Sequence, residues 1–176
     1  MLVKKLLQLF IAVTAFVYIS STTKNITPPV LTTNNPEQVR IARVIDGDTV
    51  ETADKQKIRY IGINAPEIYH DSTGKKTGEQ CYADLAYLKN KLLVEGKVVR
   101  MEKDVSNIDK YGRLLRYVWV DNTFINDYLI RNGYAKIMTV KPDIGYYQQF
   151  KLAEKEAKQN NLGLWKDCSI AGQSKQ

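Results

Sequence analysis

Five strand-like segments with one helix set between the third and the fourth constrain this chain most. Apolar residues alternate through residues 39–45, 50–53, 58–63, 98–102 and 115–120, the period-two pattern of strands that bury one face. Asp46-Gly47, between the first two, has the chemistry of a tight turn. After the third segment Tyr82, Leu85, Leu88 and Leu92 recur at three and four residues, with Gly96 beyond them as a stop. That spacing predicts an amphipathic helix packed through its leucines. A second helix is predicted over 124–132, closed by Gly133. A third is predicted over 144–159, after Pro142-Asp143, with Tyr147, Phe150, Ala153 and Ala157 on one face. The fold class that accommodates this order is α+β, mainly β: a small closed five-stranded barrel of the OB type with three helices.

The 176 residues leave room for one such domain plus tails. Lys4 and Lys5 precede an apolar run from Leu6 to Ile19, and Ser20-Ser21-Thr22-Thr23 follow it, the layout of an export signal over residues 1–21. The run is shorter than the roughly eighteen residues that span a bilayer, so cleavage is expected, with an uncleaved surface anchor as the alternative. Residues 22–36, rich in Thr, Asn and Pro, read as a disordered linker, 37–168 as the domain and 169–176 as a flexible tail. The formal charge of +7 falls to +5 without the two N-terminal lysines, which suits a polyanionic partner or simply a solvated lysine-rich surface. Cys81 and Cys168 are the two cysteines. An even count in an exported chain favours a disulfide, and two separate thiols are the alternative. With His70 as the sole histidine, neither a four-ligand zinc site nor a histidine-pair ribonuclease centre can be assembled.

Three short segments carry chemistry. In Val44-Ile-Asp-Gly-Asp-Thr-Val50, Asp46 and Asp48 stand two apart on a turn entering a strand, the spacing that points both to one side. Asp46 alone is explained by the Asp-Gly bend, whereas turn chemistry does not require Asp48. In Arg59-Tyr-Ile-Gly-Ile-Asn-Ala-Pro-Glu67, an arginine interrupts an apolar strand and a carboxylate follows a proline-stiffened bend. In Asp109-Lys-Tyr-Gly-Arg113, a second arginine enters the fifth strand. Guanidinium groups stay charged and grip phosphate oxygens through a planar fork. Two of them, with carboxylates and an amide, form the set that holds a hard cation against a phosphodiester and directs water at it.

Taken together, these segments resemble the staphylococcal nuclease (thermonuclease) family across roughly residues 37–166. The resemblance implies a secreted, monomeric, calcium-dependent nuclease that hydrolyses DNA and RNA at the 5′ P–O bond and leaves 3′-phosphate ends. It implies Arg59, Glu67 and Arg113 as catalytic residues, with Glu67 handling the water. Asp48, Asn64 and the Ala65 carbonyl would be the Ca2+ ligands, and Lys110 and Tyr111 substrate contacts. Asn64 departs from the family's usual aspartate, and the tyrosines that pack on a bound nucleotide are missing: an apparent one-residue deletion puts Thr139 and Lys141 near their positions. Tyr146 and Tyr147 are candidates to compensate, and Lys75 and Lys76 read as solvated loop lysines. Two other classes compete: a non-catalytic nucleic-acid-binding module with a degenerate site, and a surface-tethered structural protein anchored through the N-terminal apolar run.

Overall fold

The computed structural model describes residues 37–171. The export signal and linker predicted over 1–36, and residues 172–176 of the predicted tail, lie outside the described residues. In chain order the strands are β1 (Glu37–Val44), β2 (Thr49–Thr52), β3 (Lys57–Tyr60), β4 (Ile63–Asn64), β5 (Ile68–His70) and β6 (Lys76–Glu79), followed by α1 (Ala83–Val94). Then come β7 (Val98–Glu102), β8 (Leu114–Val120), β9 (Thr123–Phe124), α2 (Ile125–Arg131), β10 (Lys136–Ile137), α3 (Tyr147–Gln159) and α4 (Leu164–Ala171).

The main sheet runs β3-β2-β1-β7-β8-β9, and a parallel pairing of β3 with β8 closes its five long members into a mixed barrel. Closure removes the open edges that a five-stranded sheet would otherwise expose. Ile41, Val50, Ile58, Val99 and Val118, one from each barrel strand, are fully buried inside it. At one end Tyr117, Trp119, Phe124, Tyr146 and Phe150 pack ring against ring, with Trp119 stacked on Phe124 at 4.4 Å. Gly62 has φ +80°, and a Cβ there would lie 2.5 Å from the Phe150 ring, so glycine lets the chain after β3 turn beneath α3. Asn126, fully buried at the start of α2, accepts the Val118 N–H at 3.0 Å and donates to the Ile61 carbonyl at 2.9 Å, tying the helix to both sides of the barrel seam.

Three features differ from the sequence reading. The described residues hold four helices rather than three, because the chain after Gly163 winds into α4, which runs three residues into the predicted tail. α1 buries Ala83, Ala86, Asn90 and Val94, while Leu85, Leu88 and Leu92 are 49%, 55% and 72% exposed. The cause is close packing: a Cβ on Gly47 would overlap the Ala65 methyl and sit 3.0 Å from that of Ala86, so this helix can approach only through small side chains. At the third helix, Tyr146 rather than Tyr147 joins the aromatic cluster, and α3 begins at Tyr147, three residues later than the predicted start at 144.

Candidate active site

The β1–β2 turn places Asp46 and Asp48. The Asp48 N–H donates to Asp46 Oδ1 at 2.9 Å, an Asx-type contact that the Asp-Gly bend promotes. Asp48 is only 1% exposed, and its Oδ2 accepts the Ala65 N–H at 2.6 Å, which fastens the segment after β4 to the start of β2. Antiparallel pairing sets Arg59 opposite Thr49, one residue from Asp48. The Arg59 side chain, also buried, forms an ion pair with Asp48 Oδ1 and donates to Asn64 Oδ1 at 2.9 Å. Thus oxygens from two separate elements converge on one cationic group. Behind them, Asn90 of α1 donates to the Asp46 carbonyl at 3.1 Å and accepts the Tyr60 hydroxyl at 3.1 Å, bracing the turn and the residue beside Arg59.

Charges in this cluster act on one another. Burial pushes the Glu67 carboxyl above the ordinary carboxylate range, nearby Asp46 adds to the rise, and Arg59 and Arg113 oppose it. Burial likewise raises Asp46 against the pull of Arg59, and burial lowers Arg59. Arg113 is held by its own loop: Asp109 accepts its Nε at 2.7 Å and its backbone N–H at 3.0 Å. Glu67 is held through its backbone, whose N–H donates to Gln80 Oε1 at 3.1 Å and whose carbonyl accepts the Gln80 N–H at 2.8 Å.

Arg59 and Arg113 also line a cleft of about 620 Å³. Lys110, Tyr111 and Lys141 add charge and an aromatic ring to its wall, and Ile108, Met138 and Val140 supply apolar surface. Met138 and Val140, rather than Thr139, occupy the stretch where stacking tyrosines are missing. Thr139 turns away, its Oγ1 buried. Tyr146 stands in the aromatic cluster and Tyr147 lies beneath Lys151, so neither lines this cleft.

Every site residue inferred from the sequence therefore falls in one region: Asp48, Arg59, Asn64 and Ala65 in direct contact, Glu67 and Arg113 coupled to them by charge, and Lys110 and Tyr111 on the adjoining cleft. Sequence reasoning left out Asp46 as a site group, and it missed Asn90, Gln80 and the clamp that Asp109 forms. The Asp109-x-x-Gly112 turn spacing was the one available signal among these. Lys76 is solvent-exposed, as expected, and is paired with Glu79 at 2.9 Å and with Asp84 at 2.7 Å, which links the β5–β6 hairpin to α1. Cys81 and Cys168 are joined in a disulfide.

Among the described residues no three His, Cys, Asp or Glu side chains gather as a metal cluster. The donors that do converge, Asp48 Oδ1 and Asn64 Oδ1 with the Ala65 carbonyl next along the chain, are all hard oxygens. The two side-chain oxygens already hold a positive group between them, so the set fits a calcium-type ion completed by water.

A closed barrel carrying two guanidiniums, a nearby carboxyl and converging carboxylate and amide oxygens beside a mainly apolar cleft has the makings of a phosphate-binding OB-type domain. Residues 57–167 match the family model described as "Staphylococcal nuclease homologue", and the chain belongs to that family. It is 37% identical over 134 residues to Endonuclease YncB of Bacillus subtilis (strain 168), an alignment covering 72% of this chain and 61% of that protein. It is 30% identical over 138 residues to the Thermonuclease of Staphylococcus hyicus, covering 77% and 79% of the two chains. With the Thermonuclease of Staphylococcus intermedius it shares 33% identity over 132 residues, 73% and 76% of the respective lengths. The chain thus spans less than two thirds of the Bacillus endonuclease.

Proposed function

We propose that this protein is an exported, monomeric, calcium-dependent nuclease that hydrolyses phosphodiester bonds of DNA and RNA, breaking the bond to the 5′ oxygen and leaving a 3′ phosphate. The observation that carries the proposal is that Arg59 and Arg113 both line a cleft sized for a nucleotide, with Glu67 close enough for both guanidiniums to act on its carboxyl. Export rests on the charged start and apolar run of residues 1–21.

In this reading the phosphate docks between Arg59 and Arg113, and the flanking nucleoside lies along Ile108, Tyr111, Met138 and Val140. Lys110 adds a positive charge at its edge. Attack builds negative charge on the equatorial phosphate oxygens, which the two guanidinium forks neutralise, Arg113 aligned by Asp109 and Arg59 released toward the phosphate as calcium takes its place among the oxygens. Glu67 orients the water and takes its proton, for which a pKa raised toward working pH is an asset. Calcium held by Asp48, Asn64 Oδ1 and the Ala65 carbonyl would supply further neutralisation of the phosphate. The competing reading is a nucleic-acid-binding module, which Asn64 favours by removing one ligand charge.

The deciding experiment is hydrolysis of single-stranded and duplex DNA, and of RNA, by the full chain with calcium or a chelator, beside Glu67→Gln. Calcium-dependent cleavage that falls at least about a hundredfold in Glu67→Gln supports the enzyme. Retained binding with no cleavage by the wild-type chain supports the module.

A further inference from the structure

We propose that Gln80 is the positioning residue for Glu67, and that the Cys81–Cys168 disulfide keeps Gln80 in place, so that turnover depends on that bond being formed. The proposal rests on Glu67 being the catalytic carboxylate. Gln80 grips Glu67 on both sides of its backbone, through the N–H to Oε1 contact at 3.1 Å and the Gln80 N–H to carbonyl contact at 2.8 Å. The Gln80 amide is itself oriented, because Nε2 donates to the Tyr69 hydroxyl at 2.9 Å. The next residue is Cys81, bonded to Cys168 of α4.

That helix is a firm anchor. The Leu164 N–H donates to the Gly133 carbonyl at 2.9 Å, and Gly163 approaches Gly133 so closely that neither tolerates a side chain. On the other side of Cys81, Tyr82 adopts φ 74°, ψ 4°, a left-handed conformation that a non-glycine residue holds only when its surroundings impose it. A small pocket bordered by Asn64, Pro66, Gln80, Cys81 and Cys168 shows the disulfide on the same wall as the ligand segment. The disulfide therefore pins a strained stretch of chain whose preceding residue aligns Glu67. Cys81 is exposed, so a dithiol can reach the bond. Two electrons and two protons pass from the dithiol, which becomes a cyclic disulfide, and Cys81 and Cys168 are released as thiols.

The test measures kcat and KM on single-stranded DNA for the full chain, oxidised and after dithiothreitol, with Gln80→Met, Gln80→Glu, Cys81→Ser/Cys168→Ser and Glu67→Gln, each checked by circular dichroism. Loss of alignment predicts that Gln80→Met and the reduced protein lose about tenfold to a hundredfold in kcat with KM changed by less than about twofold. Gln80→Glu, which keeps the acceptor oxygen, should recover most of the loss, and the double serine variant should be slow and indifferent to dithiol. An inactive Glu67→Gln beside a fully active Gln80→Met and a fully active reduced protein overturns the proposal. A fully active Glu67→Gln instead refutes the catalytic assignment. If the reduced protein melts at the assay temperature, Gln80→Met, with its disulfide intact, decides.

Discussion

Asn64 puts a neutral amide oxygen where a carboxylate would add a full charge to the calcium site proposed above. Its Oδ1 accepts from Arg59 at 2.9 Å, so the amide still points where a ligand must point. What it lacks is charge, and calcium sites tune affinity by ligand charge count. Asn64→Asp is therefore expected to lower the calcium concentration for half-maximal turnover by about tenfold. A calcium titration of both forms checks this, and superimposable curves would show that position 64 does not ligate. At this scale the sequence was most legible where a residue had no structural excuse. Asp48 was not needed by the turn and Arg59 broke an apolar strand, so both stood out. Asp46 did not, because the Asp-Gly bend explained it, although its carboxyl lies within reach of Arg59, Glu67 and Arg113. Gln80 and Asn90 could not be found at all. Their roles arise from contacts 13 and 44 residues away, which no local pattern encodes.

Among the elements, the barrel strands were readable because half-buried strands announce themselves by alternation, and α1 was readable as a helix but not in its orientation. Its leucines made the stronger stripe, yet the tight approach of Gly47, Ala65 and Ala86 leaves no room for them on the face that carries Ala83, Ala86 and Asn90. Ala86→Leu should therefore cost about 1–3 kcal/mol by overpacking. Leu88→Lys, at a 55% exposed position, should stay within about 0.5 kcal/mol of wild type. Urea unfolding of the two variants tests that inversion of the sequence pattern directly. The loop entering β8 responds to pH instead. Burial alone would raise the Asp109 carboxyl, but the Arg113 and Tyr111 N–H groups and the Arg113 side chain outweigh it and hold it below its ordinary value. A depressed folded-state pKa adds stability that is complete above the unfolded value, about 3.9, and is lost as pH falls through the folded one. Thermal melts of wild type and Asp109→Asn should thus keep a constant gap from pH 7 down to about pH 4 and close it as pH falls further through the folded value, and a gap that does not change in acid would show that the charge of this carboxylate does not bear on stability.

For the molecule as a whole, the barrel and the C-terminal helix are joined by one covalent link across 87 residues of sequence. Closing so long a loop removes much of the freedom of the unfolded chain, worth about 4–5 kcal/mol on the chain-entropy model. That effect is separate from any influence on Glu67, because it acts on the unfolded state and leaves the folded geometry alone. Its magnitude is a large share of what a domain of this size commands, about 5–15 kcal/mol in total. Cys81→Ser/Cys168→Ser should therefore melt roughly 10–15 °C below the oxidised protein, still in a single cooperative transition, because the barrel core is untouched. Calorimetry of the two forms decides between mechanisms. A drop of that size with an unchanged unfolding heat per degree indicates loop entropy. A drop of only about 2–3 °C would mean that the unlinked unfolded chain is little freer than the linked one, and the value of the bond would then lie in aligning the residues next to Cys81 rather than in holding the fold together.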